Sequence, residues 1–377
     1  MKSLFKNLSI IIFSLVMGFS NAQYQLSDPE ATPETVKLYQ NLATFHKKGY
    51  FVGHQDDLAY GVYWKYQEGR SDVKESVNDF PAVYGWEIGD LELGHQKNLD
   101  EVPFDKMKKY IKEAHQRGGI ITISWHTNNP MTGKNAWDVS NKSIAEILPG
   151  GSKNEVFKTY LDQVTDFLDD LKDANGKPIP ILWRPWHEHT GTWFWWGVNS
   201  ASDEEYKELF RYTLDYFRKT KNLHNLISVY NTGTEFNSPE EYLKRYPGDD
   251  YVDMFSFDAY QRGSVEEGPK FAKQLDALLE NMNVAAKQHH KFSAIGEIGY
   301  NQIPDDQWFT KILKPVFDKH EFSYVLFWRN AGFKPSNNEV EYYLPFKGHP
   351  AEKDFKKFKK DKKTWFERDA RKLKINK

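Results

Sequence analysis

The sequence predicts a single (β/α)8 barrel, an α/β fold, on three observations. Short apolar segments rich in β-branched and aromatic residues alternate with longer segments of helical period, which is the signature of parallel βα units. The alternation occurs eight times. No Gly/Ser linker, Pro-rich hinge, internal repeat or composition shift interrupts residues 30–350, so the 377-residue chain reads as one domain, residues 23–377, behind a leader. The strand segments are 50–55, 82–88, 120–126, 181–188, 226–231, 252–260, 292–298 and 324–329, each short and apolar. Between them, segments such as 104–117, 156–172, 203–220, 271–288 and 305–318 carry helical period, several opening on an Asp or Pro start signal. A doubly wound open sheet is the competing arrangement. It carries a Gly-rich phosphate loop after its first strand, and Gly53-His54-Gln55-Asp56-Asp57 is not one.

The two ends of the chain differ from the middle. Residues 1–22 start with Lys2 and Lys6, run through an apolar stretch too short to span a bilayer and end in small residues, which predicts a secretory signal cleaved after Ala22. The mature chain is then extracellular or periplasmic, without a membrane span, and is expected to be monomeric. With no cysteine there are no disulfides, thiolate metal sites or lipidated cysteine anchor. The last 25 residues carry a net charge of +8 and the rest −10. Phe355, Phe358, Lys362, Trp365, Phe366 and Leu373 recur at three- and four-residue spacing, which predicts one outer helix packed on the barrel rather than a membrane-binding tail. Overall, 51 basic against 53 acidic side chains is too balanced for binding by phosphate neutralisation, so nucleic acid is excluded as a partner. Twelve Trp, 21 Tyr and 26 Phe exceed the needs of a core, and surplus rings at a surface suit the faces of sugars.

A barrel of this kind places its chemistry at the carboxyl ends of the strands. There the sequence sets His54, Asp90, Glu92, His126, His187 with Glu188, Asn231, Tyr260, Glu297 and Arg329. Cleaving a glycosidic bond takes one carboxylic acid to protonate the leaving oxygen and one carboxylate to attack or to activate water. Glu188, in Trp183-Arg184-Pro185-Trp186-His187-Glu188, and Glu297, in Ile295-Gly296-Glu297-Ile298-Gly299, are the acids set most tightly into apolar strand ends. Four consecutive rings, Trp193 to Trp196, follow Glu188; read as a strand, they turn two outward to stack on sugar. His187 and His189 share one strand face, but no further ligands accompany them, so no metal site is expected. The sequence leaves the roles of His54 and Glu92 open.

These segments, together with Gly53-His54-Gln55, Trp125 to Pro130, Phe257 to Tyr260 and Phe327 to Asn330, resemble the secreted β-mannanases of glycoside hydrolase family 26. The resemblance implies a retaining (β/α)8 enzyme acting on a mannan-type polysaccharide, with Glu188 as acid/base, Glu297 as nucleophile and no cofactor. It further implies sugar contacts from His126, Trp137, His187, Trp193, Trp328 and Arg329, with Tyr260 orienting the nucleophile. Positive charge from Arg184 is expected to assist Glu297. His189-Thr190-Gly191 departs from the family's usual Met-Asn-Gly. Other outcomes within the resemblance are chain-end release of mannobiose, action on β-glucan or β-1,3-xylan, and a barrel that binds carbohydrate without cleaving it.

Overall fold

The structure is a computed structural model describing residues 24–335 and 338–376. The leader expected over residues 1–22 lies outside the described residues. Eight parallel strands close on themselves: β1 (Tyr50–Gln55), β2 (Val83–Glu87), β3 (Ile120–Trp125), β4 (Ile181–Pro185), β5 (Leu226–Thr232), β6 (Met254–Gln261), β7 (Phe292–Tyr300) and β8 (Tyr324–Phe327), with β8 paired back to β1. The expected barrel is the observed fold. Among the described residues no helix is long and apolar enough to cross a membrane.

Helix α1 (Pro33–Phe45) precedes β1 and plugs the lower mouth. Pro33 presets its first turn, Thr32 caps the Thr35 N–H, and Leu38, Tyr39 and Leu42 pack upward. Around the barrel run α2 (Phe104–Arg117), α3 (Asn154–Asp169), α4 (Asp203–Asp215) and α5 (Gly268–Gln288). A capping box between Ser202 and Glu205 starts α4. Its regular part ends at Asp215, and Tyr216–Thr220 continue as a π-helix. The helix expected over 305–318 is likewise split, into a π-helical turn, Phe309–Leu313, and Lys314–Phe317.

The C-terminal segment departs from its expectation. Instead of one helix it forms Glu352–Lys359, an extended pair Thr364–Trp365, and Glu367–Lys372. Thr364 and Trp365 pair with Tyr50 and Phe51 at the start of β1, where β2 has not yet begun. That unmet strand edge draws the chain out of helix. The apolar positions still face inward, with Phe355, Phe358 and Phe366 buried.

Side-chain alternation divides each strand between barrel interior and helix layer. The lower interior is apolar: Phe51, Val83, Leu182, Ile227, Met254, Phe292 and Leu326 belong to one buried cluster. The alternate residues, among them Val52, Trp86, Ile123, Trp183, Phe257 and Val325, face the helices. On β7 the alternation breaks. Ile295 and Ile298, three apart, both pack in the outer layer, and the registers with β6 and β8 shift between them. An extra residue at Gly296–Glu297 is therefore bulged, and Glu297 turns inward where unbroken alternation would point it outward.

Candidate active site

Where β4 ends, the backbone bends twice. Trp186 and Glu188 both adopt left-handed backbone, φ +53° and +50°, so the strand stops at Pro185 rather than running to Glu188. Each such residue costs about 1–3 kcal/mol and persists only where its surroundings hold it. Trp186 is held: its ring is buried against Trp125, Trp195 and Trp196, and its carbonyl accepts from the Tyr206 hydroxyl at 3.2 Å. The second bend delivers Glu188 to a groove of about 650 Å3 at the carboxyl ends of the strands.

Glu297 reaches the same groove from its bulge. Oxygen atoms of Glu188, Glu297 and Asp258 lie within 4.8 Å of one another. Arg184, fully buried, joins two of them, bonding Glu297 Oε1 through Nη2 and Asp258 Oδ2 through Nη1 at 3.0 Å. The Tyr260 hydroxyl donates to Glu297 Oε2 at 2.5 Å, and Asn231 Nδ2 donates to Asp258 at 2.6 Å. Position 296 must be glycine for this to close up, since a methyl group there would collide with Asn231 Oδ1 and Asp258 Oδ1. Asp258 is the more deeply buried acid, and burial, then the Glu297 charge, push its carboxyl well above the usual range against the pull of Arg184. Among the described residues these three acids form the one cluster with metal-ligand spacing, and Arg184 already supplies positive charge between two of them.

Glu188 differs from Glu297 in its partners. Its described side-chain hydrogen bond is accepted from Trp193 Nε1 at 2.7 Å. Burial, then the charge of Glu297, push its carboxyl up to about 7. One acid is thus clamped by a guanidinium and a phenol, and the other stays protonated to near neutrality.

His126, Trp137, Glu188, Trp193, Tyr260, Glu297 and Trp328 all line this groove. Trp137 stacks on His126 with ring centres 5.3 Å apart. Two expected contacts do not line it. His187 is 1% exposed, stands behind His126, and meets it Nε2 to Nε2 at 3.1 Å. Arg329 is pinned by ion pairs to Asp100 and Glu341. The four-ring segment is a turn rather than a strand: Trp193 is exposed, Phe194 edges the groove, and Trp195 and Trp196 are buried with their indole N–H groups donating to the carbonyls of Thr127 and His187. His54 shares the outward face of Val52, bonded to Asp57 at 2.7 Å, and Glu92 braces the loop after β3 through Trp125 Nε1 and the Asn128 N–H.

Sequence reasoning missed two acids. Glu87 is buried in the barrel interior and bonds His126 Nδ1 at 2.7 Å; burial pushes its carboxyl up, but the His126 charge and hydrogen bonds from His126 and Ser124 outweigh it and hold it down at about 2. The reciprocal effect keeps His126 above its ordinary value despite burial. Asp258 stands two residues before Tyr260 on β6, so strand parity alone gives it the same face.

The profile of glycosyl hydrolase family 26 matches residues 27–335. The chain belongs to this family. A family 26 β-mannanase structure from Bacteroides ovatus shares 43% identity and superposes with a TM-score of 0.87, covering 92% of this chain and 98% of that one. The catalytic domain of a Bacillus family 26 endo-β-1,4-mannanase shares 29% identity at a TM-score of 0.84, covering 94% and 96%. A mannan endo-1,4-β-mannosidase of Bifidobacterium adolescentis is 32% identical over 88% of this chain, which spans 34% of that relative's length.

Proposed function

We propose that this chain is a secreted, retaining endo-β-1,4-mannanase. The observation that carries the mechanism is the approach of the Glu188 and Glu297 oxygens to within 4.8 Å. Retaining glycosidases hold their two carboxyl groups about 5–5.5 Å apart, and inverting ones need about 6.5–9.5 Å to admit a water. In the first step Glu297 attacks the anomeric carbon while Glu188 gives its proton to the departing oxygen, leaving a glycosyl ester on Glu297. In the second, Glu188 takes a proton from water, the resulting oxygen attacks the same carbon, and the ester bond to Glu297 breaks. Two inversions restore the starting configuration.

Arg184 and Tyr260 orient Glu297 for attack along its free face. Trp328 forms the platform for the sugar being cleaved, and Trp193 stacks with the sugar on the leaving side while its N–H steers Glu188. His126, fixed in place by Glu87 and backed by His187, contacts the retained side together with Trp137. The relatives described as mannan endo-1,4-β-mannosidases and β-mannanases support mannan as the substrate. Product analysis on linear mannan, galactomannan, lichenan and β-1,3-xylan in parallel tests it: internal cleavage of the two mannans is expected, and exclusive cleavage of either other glycan would overturn it. For secretion, the exported protein is expected to begin at Gln23, which N-terminal sequencing reads.

A further inference from the structure

Beside the catalytic groove lies a second cavity of about 330 Å3. The two share Tyr260, Arg262 and Trp328, so the smaller one opens next to the residues that flank the sugar under attack rather than at either end of the groove. Its remaining walls include Tyr300, Asn301 and Tyr343. We propose that this side cavity receives a neutral hexosyl branch carried on the mannosyl unit over Trp328, so that the enzyme cuts mannan at galactose-substituted units.

The walls suit that occupant. A volume of 330 Å3 stands at the lower end of the range of about 300–1,000 Å3 for small-ligand sites, matching one added ring rather than a second chain. Flat faces from Trp328 and Tyr343 match the C–H faces of a pyranose, and the Asn301 amide and Arg262 guanidinium offer donors to its hydroxyls, while Tyr300, buried against Trp308, backs the wall. Among the described residues no acid lines the cavity and Arg262 forms no ion pair, its described contact being the face of Tyr260 at 6.0 Å.

The cavity is also built in advance of any ligand. Tyr343 packs edge-on to Tyr260 at 5.7 Å only because position 299 is glycine; a methyl group there would collide with the Tyr343 ring. The Tyr300 hydroxyl ties down the Gly263 carbonyl at 3.0 Å, and Asn301 Oδ1 accepts from the Tyr342 N–H at 3.2 Å. Preformed walls spare a bound branch the entropy of ordering them.

The inference rests on the mannanase reading, and one digest separates the two. Wild-type enzyme is run to completion on linear mannan and on galactomannan, and the reduced products are sequenced by mass spectrometry. Hydrolysis of linear mannan tests the activity. Galactose on the new reducing-end mannose tests the cavity, and such products are expected. Reducing ends that are always bare overturn the cavity assignment while leaving the activity standing, and absence of any mannan cleavage overturns both. Asn301→Trp, which fills the cavity, is expected to lower the yield of galactosylated reducing ends about tenfold relative to cuts at bare units. An unchanged ratio in a variant that still cleaves mannan would also overturn the assignment.

Discussion

Leu182 and Arg184 stand two residues apart on β4 and point into the same barrel, yet they occupy different media. Leu182 packs among Phe51, Met254 and Phe292 in a layer held by apolar contact. Arg184 belongs to an upper layer in which Ser124, Glu87, Asn231, Asp258 and Glu297 are linked by hydrogen bonds and ion pairs, still shielded from water. The lower layer obeys strand alternation throughout. The upper one breaks it, with a bulge at Gly296 and left-handed backbone at Trp186 and Glu188. One half of the barrel is organised for stability, and the other holds charges and strained backbone that the first half tolerates.

Substitutions in the two layers should therefore fail differently. The largest effect is expected from Glu297→Ala, which removes the proposed nucleophile: kcat/KM on mannan should fall about 10^4-fold or more while circular dichroism and melting stay close to wild type. Glu188→Gln should lower kcat by about 10^2–10^4-fold on substrates with poor leaving groups. It also has a stability signature. The folded-state value of Glu188, about 7, lies above its ordinary 4.5, so wild type loses stability as pH rises through 7, and Glu188→Gln should not. Denaturant melts at pH 6 and 8 read the difference.

Arg184→Met leaves Asp258 and Glu297 buried without their cation and is expected to cost about 3–5 kcal/mol and most of the activity. Leu182→Ala should cost a comparable 2–5 kcal/mol, in urea melts, through a cavity alone. Leu182→Ala should nevertheless leave the alkaline limb of kcat/KM, expected near pH 7 from Glu188, where it was. Movement of that limb would mean that the two layers are coupled. The smallest effect belongs to Trp193→Phe. Its indole bond favours the charged form of Glu188, so its loss should move the alkaline limb to higher pH, and a downward movement would contradict the geometry.

The same division explains what could be read from the sequence. Strand starts, the closed barrel and the two acids were legible because apolar alternation and the segments around Glu188 and Glu297 are local signals. The inward turn of Glu297 was not: continued from Phe292 and Ala294, alternation puts Gly296 inside and Glu297 outside, and only pairing with β6 and β8 reveals the extra residue. Nor was the burial of Trp195 and Trp196, whose indoles bond the carbonyls of Thr127, 68 residues earlier, and His187, or the break at Thr364–Trp365, which answers a strand edge more than 300 residues earlier. Asp258 was legible by parity with Tyr260, two residues later on β6. Glu87 lay inside a strand whose apolar composition drew attention to the acids after it, Asp90 and Glu92.

Glu297 is the proposed source of the oxygen that attacks the anomeric carbon, with Glu188 opposite. Incubation with a 2-deoxy-2-fluoro-β-mannosyl fluoride, whose fluorine slows release of the intermediate, followed by proteolysis and peptide mass mapping, tests that directly. A single mannosyl ester on Glu297 is the expected result. An ester on another carboxylate, or turnover of mannan with inverted configuration and no adduct, would contradict it.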